Sequence, residues 1–348
     1  MIDKLAPLFE RYDAVFVSAP SDVFYFSRFE GEGYIAAFKD GAFYVTDGRY
    51  AEEAAAATGL EVVTVTAEKP FLKALKLIAE RNPQKPVGVQ TSALSYNEHL
   101  LAAETAGNLN SIDAFLSDLR AVKEDFEIAL VARAAAITDA AFLEILSVVR
   151  ENMTERELAA ETEYRLRLAG ADGTAFATIA AFGTDGSKPH ARPGDTALRR
   201  GMLVTLDFGA RAGGYCSDMT RTFAFGKPSA EMKKIYGLTL KANLAGLATV
   251  RDGVTCFDAD AAARNLIKNA NYGEYFLHGT GHGVGIDIHE TPTLSYRSAE
   301  TLKTGMVVTV EPGIYLAGKG GVRIEDMVAV TASGCDILSH SAKELLIL

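Results

Sequence analysis

Two segments in the second half of the chain carry acidic residues inside runs of apolar, strand-forming residues. Asp207 and Asp218 lie in LVTLDFGARAGGYCSDMTRTFAFG. Glu311 and Glu325 lie in MVVTVEPGIYLAGKGGVRIEDMVAVT. In each segment a glycine-rich stretch separates two apolar runs, which predicts a β-hairpin. A single aspartate at the end of a strand is more often a turn former or an ion-pair partner, but two such pairs indicate a site with its own chemistry.

The first hairpin is predicted to bring Asp207 next to Asp218. A turn centred on Ala212–Gly213 places the two residues directly opposite each other. Opposite residues share a face of the sheet, with Cβ atoms about 4.5–5.5 Å apart. Two buried carboxylates at that distance repel each other unless a proton or a cation lies between them.

The second hairpin repeats the arrangement with glutamates. A turn centred on Gly318 places Glu311 opposite Glu325, again inside a glycine cluster. Four carboxylates carry four negative charges, which two divalent cations would balance. The two hairpins together therefore predict a site for two metal ions.

A glycine-rich segment, HGTGHGVGIDIHE, holds three of the six histidines of the chain, His278, His282 and His289. The first two are four residues apart, as in a helical HExxH zinc site, but no glutamate follows the first histidine. Glycine occupies every second position from 279 to 285, which argues against a helix. Taken alone, His282 has equal claim to a structural or a functional role. The neighbouring carboxylate pairs favour function.

Three short motif matches are accidental. The string DFG at 207–209 occurs without the HRD loop and the VAIK lysine of a kinase. GTGHGVG departs from the GxGxxG pattern, because Val284 stands in place of the third glycine. AGKGG is not a Walker A loop.

The composition is that of an ordinary globular protein. The 348 residues include 48% apolar and 23% charged residues, with a formal net charge of −10. This length favours two domains. The N-terminal MIDKLAPLFERYD lacks the apolar core of a signal peptide, and no apolar run approaches the roughly 20 residues of a membrane span. Because the densest basic patch is Arg199-Arg200, we expect neither a nucleic acid nor a membrane as a partner.

The cysteines indicate a reducing compartment. Cys216, Cys256 and Cys335 are odd in number and far apart, and they form no CxxC pair. Neither a disulfide framework nor a thiolate zinc site is suggested. We therefore expect a cytoplasmic protein.

The first part of the chain alternates strand and helix signals. DAVFVSA, LEVVTVT and PVGVQ are predicted strands, and GYIAAFKDGAFYVTDGRY is a predicted hairpin turning at Lys39-Asp40-Gly41. FLKALKLIAERN and NEHLLAAETAG have helical spacing. These patterns predict a small α/β domain at 1–118 and a second domain at 119–348, with the boundary between 116 and 124.

The second domain is predicted to begin with helices. LRAVKEDFEIALVARAAAITDAAFLEILSVVREN, residues 119–152, has one long amphipathic pattern. A capping box formed by Thr154 and Glu157 opens the next helix, which stops at Gly170.

The chain resembles the pita-bread metallopeptidases, in particular the Xaa-Pro dipeptidase (prolidase) and aminopeptidase P branch. The strings that carry the resemblance are LDFGARAGGYCSDMTRTFAFG, HGTGHGVGIDIHETP, GMVVTVEPGIY and GGVRIED, in the order and spacing of the family. A weaker similarity covers the first part, where DAVFVSAPSDVFYFSRFEGEGY and VTDGRYAEEA look like a creatinase-type N-terminal domain. The resemblance implies an α/β (α+β) chain, in which a creatinase-like α/β domain is followed along the chain by a pita-bread catalytic domain.

The resemblance also implies a metal-binding set. Its five ligands are Asp207, Asp218, His282, Glu311 and Glu325. An oxygen-rich set with one imidazole favours two ions of manganese or cobalt, with zinc and iron left open. In the family a hydroxide that bridges the two ions attacks the carbonyl carbon before proline.

Further residues receive roles through the same resemblance. Glu311 would take up the proton of the water, and His190 and His289 would hydrogen-bond the substrate carbonyl and its oxyanion. The substrate-binding residues implied are His190, His278, His289, Arg297, Arg323 and Phe176. Among these, His278 would line the pocket or support its loop, Arg323 would orient carboxylates or contact substrate, and Phe176 would form an apolar wall. Arg297 would hold the free carboxylate of a dipeptide, with a solvated surface arginine as the equal alternative.

Several functions stay open beside hydrolysis of Xaa-Pro dipeptides. An aminopeptidase P would act on longer Xaa-Pro peptides. A methionine aminopeptidase usually lacks the N-terminal domain, and creatinase shares the fold without metals. A non-catalytic peptide-binding module would be expected to lose ligands, and none is lost here. The family is commonly dimeric, so a homodimer is expected.

Overall fold

A computed structural model describes residues 1–81 and 83–348. The chain divides into two compact units, Met1–Leu119 and Arg120–Leu348. Within the described residues, no helix is both long and apolar enough to cross a membrane.

The N-terminal unit is built on a mixed sheet flanked by helices. Its described elements are β1 Ala14–Val17, α1 Pro20–Ser27, β2 Tyr34–Phe38, β3 Gly41–Asp47, α2 Ala51–Ala57, β4 Glu61–Val65, α3 Pro70–Glu80, β5 Val87–Val89, α4 Tyr96–Ala106 and β6 Leu109–Ser111. The strand order in this part of the chain is β4-β3-β2-β1-β5-β6. Strand β1 pairs antiparallel with β2 and parallel with β5.

The strands and helices predicted for this unit are confirmed. In the β2–β3 hairpin Phe38 pairs with Gly41, so Lys39 and Asp40 form the turn. Helix α3 covers FLKALKLIAE and ends at Glu80, and Asn82 at the end of that predicted segment lies outside the described residues. Helix α4 covers the second segment up to Ala106. The core packs Phe16 and Val89 of the sheet against Leu75 and Ile78 of α3.

The C-terminal unit contains small sheets covered by helices. Its elements, with the helix α5 that leads into it, are α5 Asp113–Ala121, α6 Asp125–Val148, α7 Glu155–Leu168, β7 Gly173–Thr174, β8 Ile179–Phe182, β9 Met202–Phe208, β10 Ala210–Ala212, β11 Tyr215–Cys216, β12 Met219–Phe225, α8 Ala230–Thr249, α9 Cys256–Asn269, β13 Gly281–Gly283, β14 Glu290–Leu294, β15 Val307–Val310, β16 Gly313–Leu316, β17 Gly320–Arg323, β18 Asp326–Val330 and β19 Cys335–Ile337. The sheet orders are β11-β10-β7, β12-β9-β8, β14-β13-β15-β18-β19 and β16-β17.

The alternation along β9 shows how a core strand can carry a carboxylate. Val204, Leu206 and Phe208 pack into the cluster formed with α6 and α7. Side chains of a strand alternate between its faces, so Asp207 points the other way, away from this apolar cluster. The burial of one face thereby fixes the orientation of the acidic residue on the other.

The long helix predicted over 119–152 is wrong, because the chain breaks between α5 and α6. Val122 forms a β-bridge with Met306, and the Lys123 backbone N–H donates to the Gly305 carbonyl at 2.9 Å. Glu124 then caps α6 in a capping box with Glu127. Within the break Lys123 is buried, whereas Val122 and Glu124 are exposed.

The next helix, α7, begins as predicted. Thr154 is its N-cap, and the Thr154–Glu157 capping box is present in both directions. The helix ends at Leu168, and Gly170 follows with a φ of +103°. A positive φ of this kind is typical of the glycine that ends a helix.

The register predicted for the first acidic hairpin is wrong. Asp207 pairs with Thr220, two residues beyond Asp218. The turn consists of Gly213 and Gly214, whose φ angles are +58° and +80°, and Ala212 pairs with Tyr215. Both turn positions need a left-handed backbone, which glycine supplies and alanine resists, so the turn lies one residue later than expected.

The register predicted for the second acidic hairpin is confirmed. Val310 pairs with Asp326, and Gly313 pairs with Arg323, which leaves Glu311 facing Glu325 in the gap between the two ladders. The turn is centred on Gly318, with a φ of +73°.

Candidate metal centre and substrate cavity

Five side chains, each on or next to a strand of the C-terminal unit, lie close together. The expected ligands lie on β9 (Asp207), before β12 (Asp218), in β13 (His282), after β15 (Glu311) and between β17 and β18 (Glu325). His282 Nε2 lies 3.5 Å from Asp218 Oδ2 and 3.4 Å from Glu311 Oε1. One ligand atom each from Asp218, His282 and Glu325 lies within 4.8 Å of the others, a spacing that suits a shared metal ion.

Three carboxyl groups of this cluster have raised pKa values, because burial and neighbouring negative charges disfavour their ionised form. Burial raises the pKa of Asp218 well above its usual value, and the charges of Glu325 and Asp207 raise it further. Burial and the charge of Glu311 likewise raise the pKa of Glu325. Burial also raises the pKa of Glu311. Such a cluster stays ionised near neutral pH only when cations offset the repulsion.

An unpaired oxygen shows that a divalent cation fits this cluster. Asp207 Oδ2 accepts a hydrogen bond from Arg323 Nη2 at 2.5 Å, whereas Asp207 Oδ1 is buried without a hydrogen-bond partner in the described part of the chain. Buried polar atoms are otherwise nearly always satisfied. A cation would supply the missing partner.

The backbone selects the nitrogen that His282 can offer to a metal. His282 Nδ1 lies 3.0 Å from the Gly283 carbonyl oxygen. A carbonyl oxygen only accepts, so Nδ1 carries the proton and Nε2 keeps its lone pair toward the carboxylates. Burial lowers the pKa of His282, which favours the neutral ring that a metal requires.

The glycine beside His282 lets the chain pass close to its neighbour. A Cβ on Gly281 would lie 1.9 Å from the Thr309 carbonyl oxygen. The His282 backbone N–H donates to Thr309 Oγ1 at 3.0 Å, and this hydroxyl lies 3.3 Å from Glu311 Oε1. Gly281 is therefore required by the close packing of β13 on β15, and the strand confirms that the segment is not a helix.

Tyr315 links two of the predicted site residues, and sequence analysis did not identify it. Its hydroxyl oxygen lies 2.8 Å from His278 Nε2 and accepts from Arg323 Nη1 at 2.8 Å. Burial raises the pKa of Tyr315 to about 12, so it stays protonated. The only sequence signal was its place in GMVVTVEPGIY, four residues after Glu311.

Arg323 and His278 both touch the carboxylate cluster. Arg323 Nε donates to Thr220 Oγ1 at 2.9 Å, and this hydroxyl donates to Glu325 Oε2 at 2.7 Å. His278 Nδ1 lies 4.0 Å from Glu311 Oε2. Arg323 thus orients carboxylates, one of the two roles expected for it.

A cavity of about 550 Å³ opens onto the cluster. All five expected ligands line it, as do Phe176, His190, His278, His289 and Arg323. The side chains of His190 and His289 are exposed, as contacts to a bound molecule require. Ile179 and Ile288, which sequence analysis did not identify, add to the apolar lining.

Arg297 is the one expected site residue that the structure does not bring to the cavity. Its side chain is exposed, and its guanidinium carbon lies 5.0 Å from the ring centroid of Tyr296. An arginine stacked on its neighbouring aromatic ring is typical of a surface position.

Both parts of the chain match known protein families. Residues 129–332 match the model of metallopeptidase family M24, and residues 9–122 match the Creatinase/Prolidase N-terminal domain. The chain belongs to metallopeptidase family M24. The expected fold, a pita-bread catalytic domain with a creatinase-like α/β domain before it, is confirmed.

Relatives of this M24 peptidase match over nearly their whole length. The Xaa-Pro dipeptidase of Pyrococcus furiosus is 37% identical over 96% of the chain and 95% of the relative. The structure of an Xaa-Pro dipeptidase from Bacillus anthracis is 39% identical, with a TM-score of 0.95 over 100% of this chain and 99% of that one. An X-Pro aminopeptidase from Thermotoga maritima is 34% identical, with a TM-score of 0.92 over 98% and 99%. The family is metal-dependent, which agrees with the carboxylate cluster.

Proposed function

We propose that this M24 peptidase hydrolyses the Xaa-Pro bond of dipeptides with two divalent metal ions. The observation that carries the proposal is the convergence of Asp218, His282 and Glu325 around one point, beside Glu311 and the unpaired Oδ1 of Asp207. The ligand set is rich in oxygen and has one imidazole, so manganese or cobalt is the preferred metal. When bound, the ions supply an activated water and polarise the scissile carbonyl.

The protein itself moves and stabilises charge. Glu311 lies at the cavity with a pKa raised by burial, which suits a group that accepts a proton from water and returns it to the departing proline nitrogen. His289 and His190 line the same cavity and would donate hydrogen bonds to the substrate carbonyl oxygen and to the oxyanion. Phe176 and Ile179 offer an apolar wall for the proline ring, which has no backbone N–H to bind.

Metal removal tests the reaction. Treatment with a chelator should abolish hydrolysis of Xaa-Pro dipeptides, and Mn²⁺ or Co²⁺ should restore it, because the acidic cluster requires cations. Metal content and activity are measured on the same samples. Full activity in a protein shown to be metal-free would refute the proposal, and a protein that binds peptide without cleaving it would favour a binding module.

Substrate length tests dipeptidase against aminopeptidase P. The T. maritima relative is named an X-Pro aminopeptidase, so both activities occur among similar structures. We expect a higher kcat/KM for Xaa-Pro than for Xaa-Pro-Yaa, because a dipeptide presents a free carboxylate directly after proline. A wild type that prefers tripeptides would assign the chain to aminopeptidase P.

Arg297→Ala tests the expected carboxylate contact. If the exposed guanidinium reaches the substrate carboxylate, the variant loses most of the dipeptide preference, at a cost of about 1.5–3 kcal/mol for a charge-assisted contact. The kcat/KM values for both substrate classes are compared in wild type and variant. An unchanged preference would leave Arg297 as the surface residue that its stacking on Tyr296 indicates.

Four expectations stay predictions. They are the domain limits 1–118 and 119–348, the homodimer, the cytoplasmic location and the lack of a nucleic-acid or membrane partner. Limited proteolysis and solution mass measurements address the first two.

A further inference from the structure

Glu290, the residue directly after His289, lines the same cavity, and two basic side chains contact its carboxylate. Only 6% of its side chain is exposed. Lys123 Nζ donates to Glu290 Oε2 at 3.0 Å, and Arg120 Nη2 contacts Glu290 Oε1. The Lys123 and Arg120 side chains are themselves 1% and 10% exposed. Charges removed from water to this extent interact strongly and hold a fixed geometry.

Asp287 adds a second carboxylate to this group. Arg120 Nη2 also donates to Asp287 Oδ2 at 2.7 Å, and the Asp287 backbone N–H donates to Glu290 Oε1 at 3.1 Å. Two cations therefore face two carboxylates. Burial alone would raise the pKa of Glu290, but Lys123 and Arg120 hold it below its usual value, so Glu290 is an anion.

The backbone around Lys123 is held by the residues just before β15. The Lys123 backbone N–H donates to the Gly305 carbonyl oxygen, and Val122 bridges Met306, immediately before β15. Strand β15 leads directly to Glu311. The break between α5 and α6 thus places Lys123 at a constant position relative to the metal-binding strands.

The glycine-rich loop before His289 packs against the same carboxylate. A Cβ on Gly285 would lie 2.5 Å from Glu290 Oε2. The Cys216 backbone N–H donates to the Gly285 carbonyl at 2.7 Å, which holds the other side of the loop. The loop that carries His289 is therefore confined between the Glu290 carboxylate and β11.

We infer that Glu290 is a positioning residue: its buried ion pairs with Lys123 and Arg120 hold the imidazole of His289 at the metal centre. The inference rests on the role proposed for His289 in the reaction. The His289 ring lies 4.4 Å from the His282 ring, centroid to centroid, and its side chain is exposed. Its backbone is tied to Glu290, so the anchored carboxylate limits where the ring can lie.

Glu290→Gln tests this inference, because it keeps the shape of the side chain and removes the charge. We expect kcat for an Xaa-Pro dipeptide to fall about 10–100-fold, as for other residues that orient active-site groups, while metal content stays at the wild-type value. KM should change less than about 3-fold, because the group acts in the transition state. Glu290→Asp keeps the charge on a shorter side chain, so its kcat should lie between those of the wild type and Glu290→Gln. This second variant keeps the test decisive if the glutamine variant folds poorly.

A double variant separates positioning from general damage. If Glu290 acts through His289, then Glu290→Gln adds little further loss of kcat in a His289→Ala background. A structural defect would lower kcat by the same factor in both backgrounds. The matched control is Glu231→Gln, which removes one carboxylate from an exposed ion pair with Lys319 and should leave kcat at the wild-type value.

Three kinetic or metal-binding results would overturn the inference: unchanged kcat in Glu290→Gln, loss of metal in that variant, or equal losses of kcat in both backgrounds. Crystal structures keep this test separate from the peptidase assay. The His289 ring should leave its place beside His282 in Glu290→Gln, and a retained contact would overturn the inference whether or not the wild type cleaves Xaa-Pro peptides.

Discussion

Asp218 and His289 line the same cavity but have different neighbours. Asp218 is buried, and its Oδ2 lies 3.5 Å from the proposed ligand nitrogen of His282. His289 is exposed and contacts the cluster through its ring, with centroids 4.4 Å apart. The first residue is placed to hold a cation and the second to meet a substrate.

Alanine variants should separate these two roles. His289→Ala should keep about two bound metal ions and lower kcat about 10²–10³-fold, because a donor to the oxyanion is lost. Asp218→Ala should lose metal, because one of the carboxylates proposed to hold the ions is removed. Metal analysis and steady-state kinetics on both variants decide the question, and loss of metal from His289→Ala to the same extent would contradict the assignment.

Single residues also show where prediction from sequence ends. The acidic residues stood out because a carboxylate inside an apolar strand needs an explanation. Tyr315 did not stand out, because a tyrosine in a strand is ordinary and its importance comes from Arg323 and His278, which fold against it. Arg297 was chosen only by resemblance, and no local pattern distinguished it from a surface residue.

At the level of elements, the two acidic hairpins differ in how firmly their turns are specified. In the first hairpin, Ala212, Gly213 and Gly214 allow the turn to be centred at either of two places. The observed centre is the one that puts glycine at both positions with a positive φ. In the second, Gly318 is the centre of a wider glycine cluster, and both flanking ladders keep the same register. Helices α8 and α9 were not predicted, although they cover Ile314 and Val322 of the second hairpin.

Two glycine variants should separate backbone strain from steric exclusion. At Gly318 the φ is +73° and an added Cβ meets nothing within 4 Å, so Gly318→Ala should cost about 1–2 kcal/mol of unfolding free energy through strain alone. Gly281→Ala should cost clearly more and release metal, because its Cβ would overlap the Thr309 carbonyl beside His282. Chemical denaturation and metal content are measured together, and equal effects of the two variants would contradict this view of β13.

For the whole molecule, the acidic cluster predicts how stability depends on pH. Asp218, Glu311 and Glu325 have pKa values raised on folding, so the folded metal-free chain binds more protons than the unfolded chain. Their contribution to stability is present below about pH 4 and is lost as the pH rises toward the raised pKa values. Bound cations remove this loss, because they stabilise the ionised carboxylates.

The difference in Tm between Mn²⁺-loaded and metal-free protein should therefore grow from about pH 5 to pH 8. Thermal unfolding at several pH values, at constant ionic strength, measures it. A difference that stays constant or shrinks over this range would show that the cluster is not the source of the effect.

The convergence of five side chains from separate strands was beyond reach of pattern analysis alone. The five residues are spread over more than 100 positions of the sequence, from Asp207 to Glu325. Charge balance could indicate two cations but not which strands meet. The family resemblance implies that grouping, and in the structure all five residues line one cavity.

The pairing of β13 with β14 has a consequence for how this site can change. His282 pairs with Thr293, yet the next residue, Gly283, pairs with Glu290, so Thr291 and Pro292 are extra residues on one strand. These two residues bring His289 beside His282. The contact between the two imidazoles thus depends on the number of residues in β14 as well as on their identity. Removal of one residue would turn the side chains beyond it to the opposite face. Insertions or deletions between Glu290 and Thr293 would therefore separate the two rings while leaving every active-site side chain in the sequence.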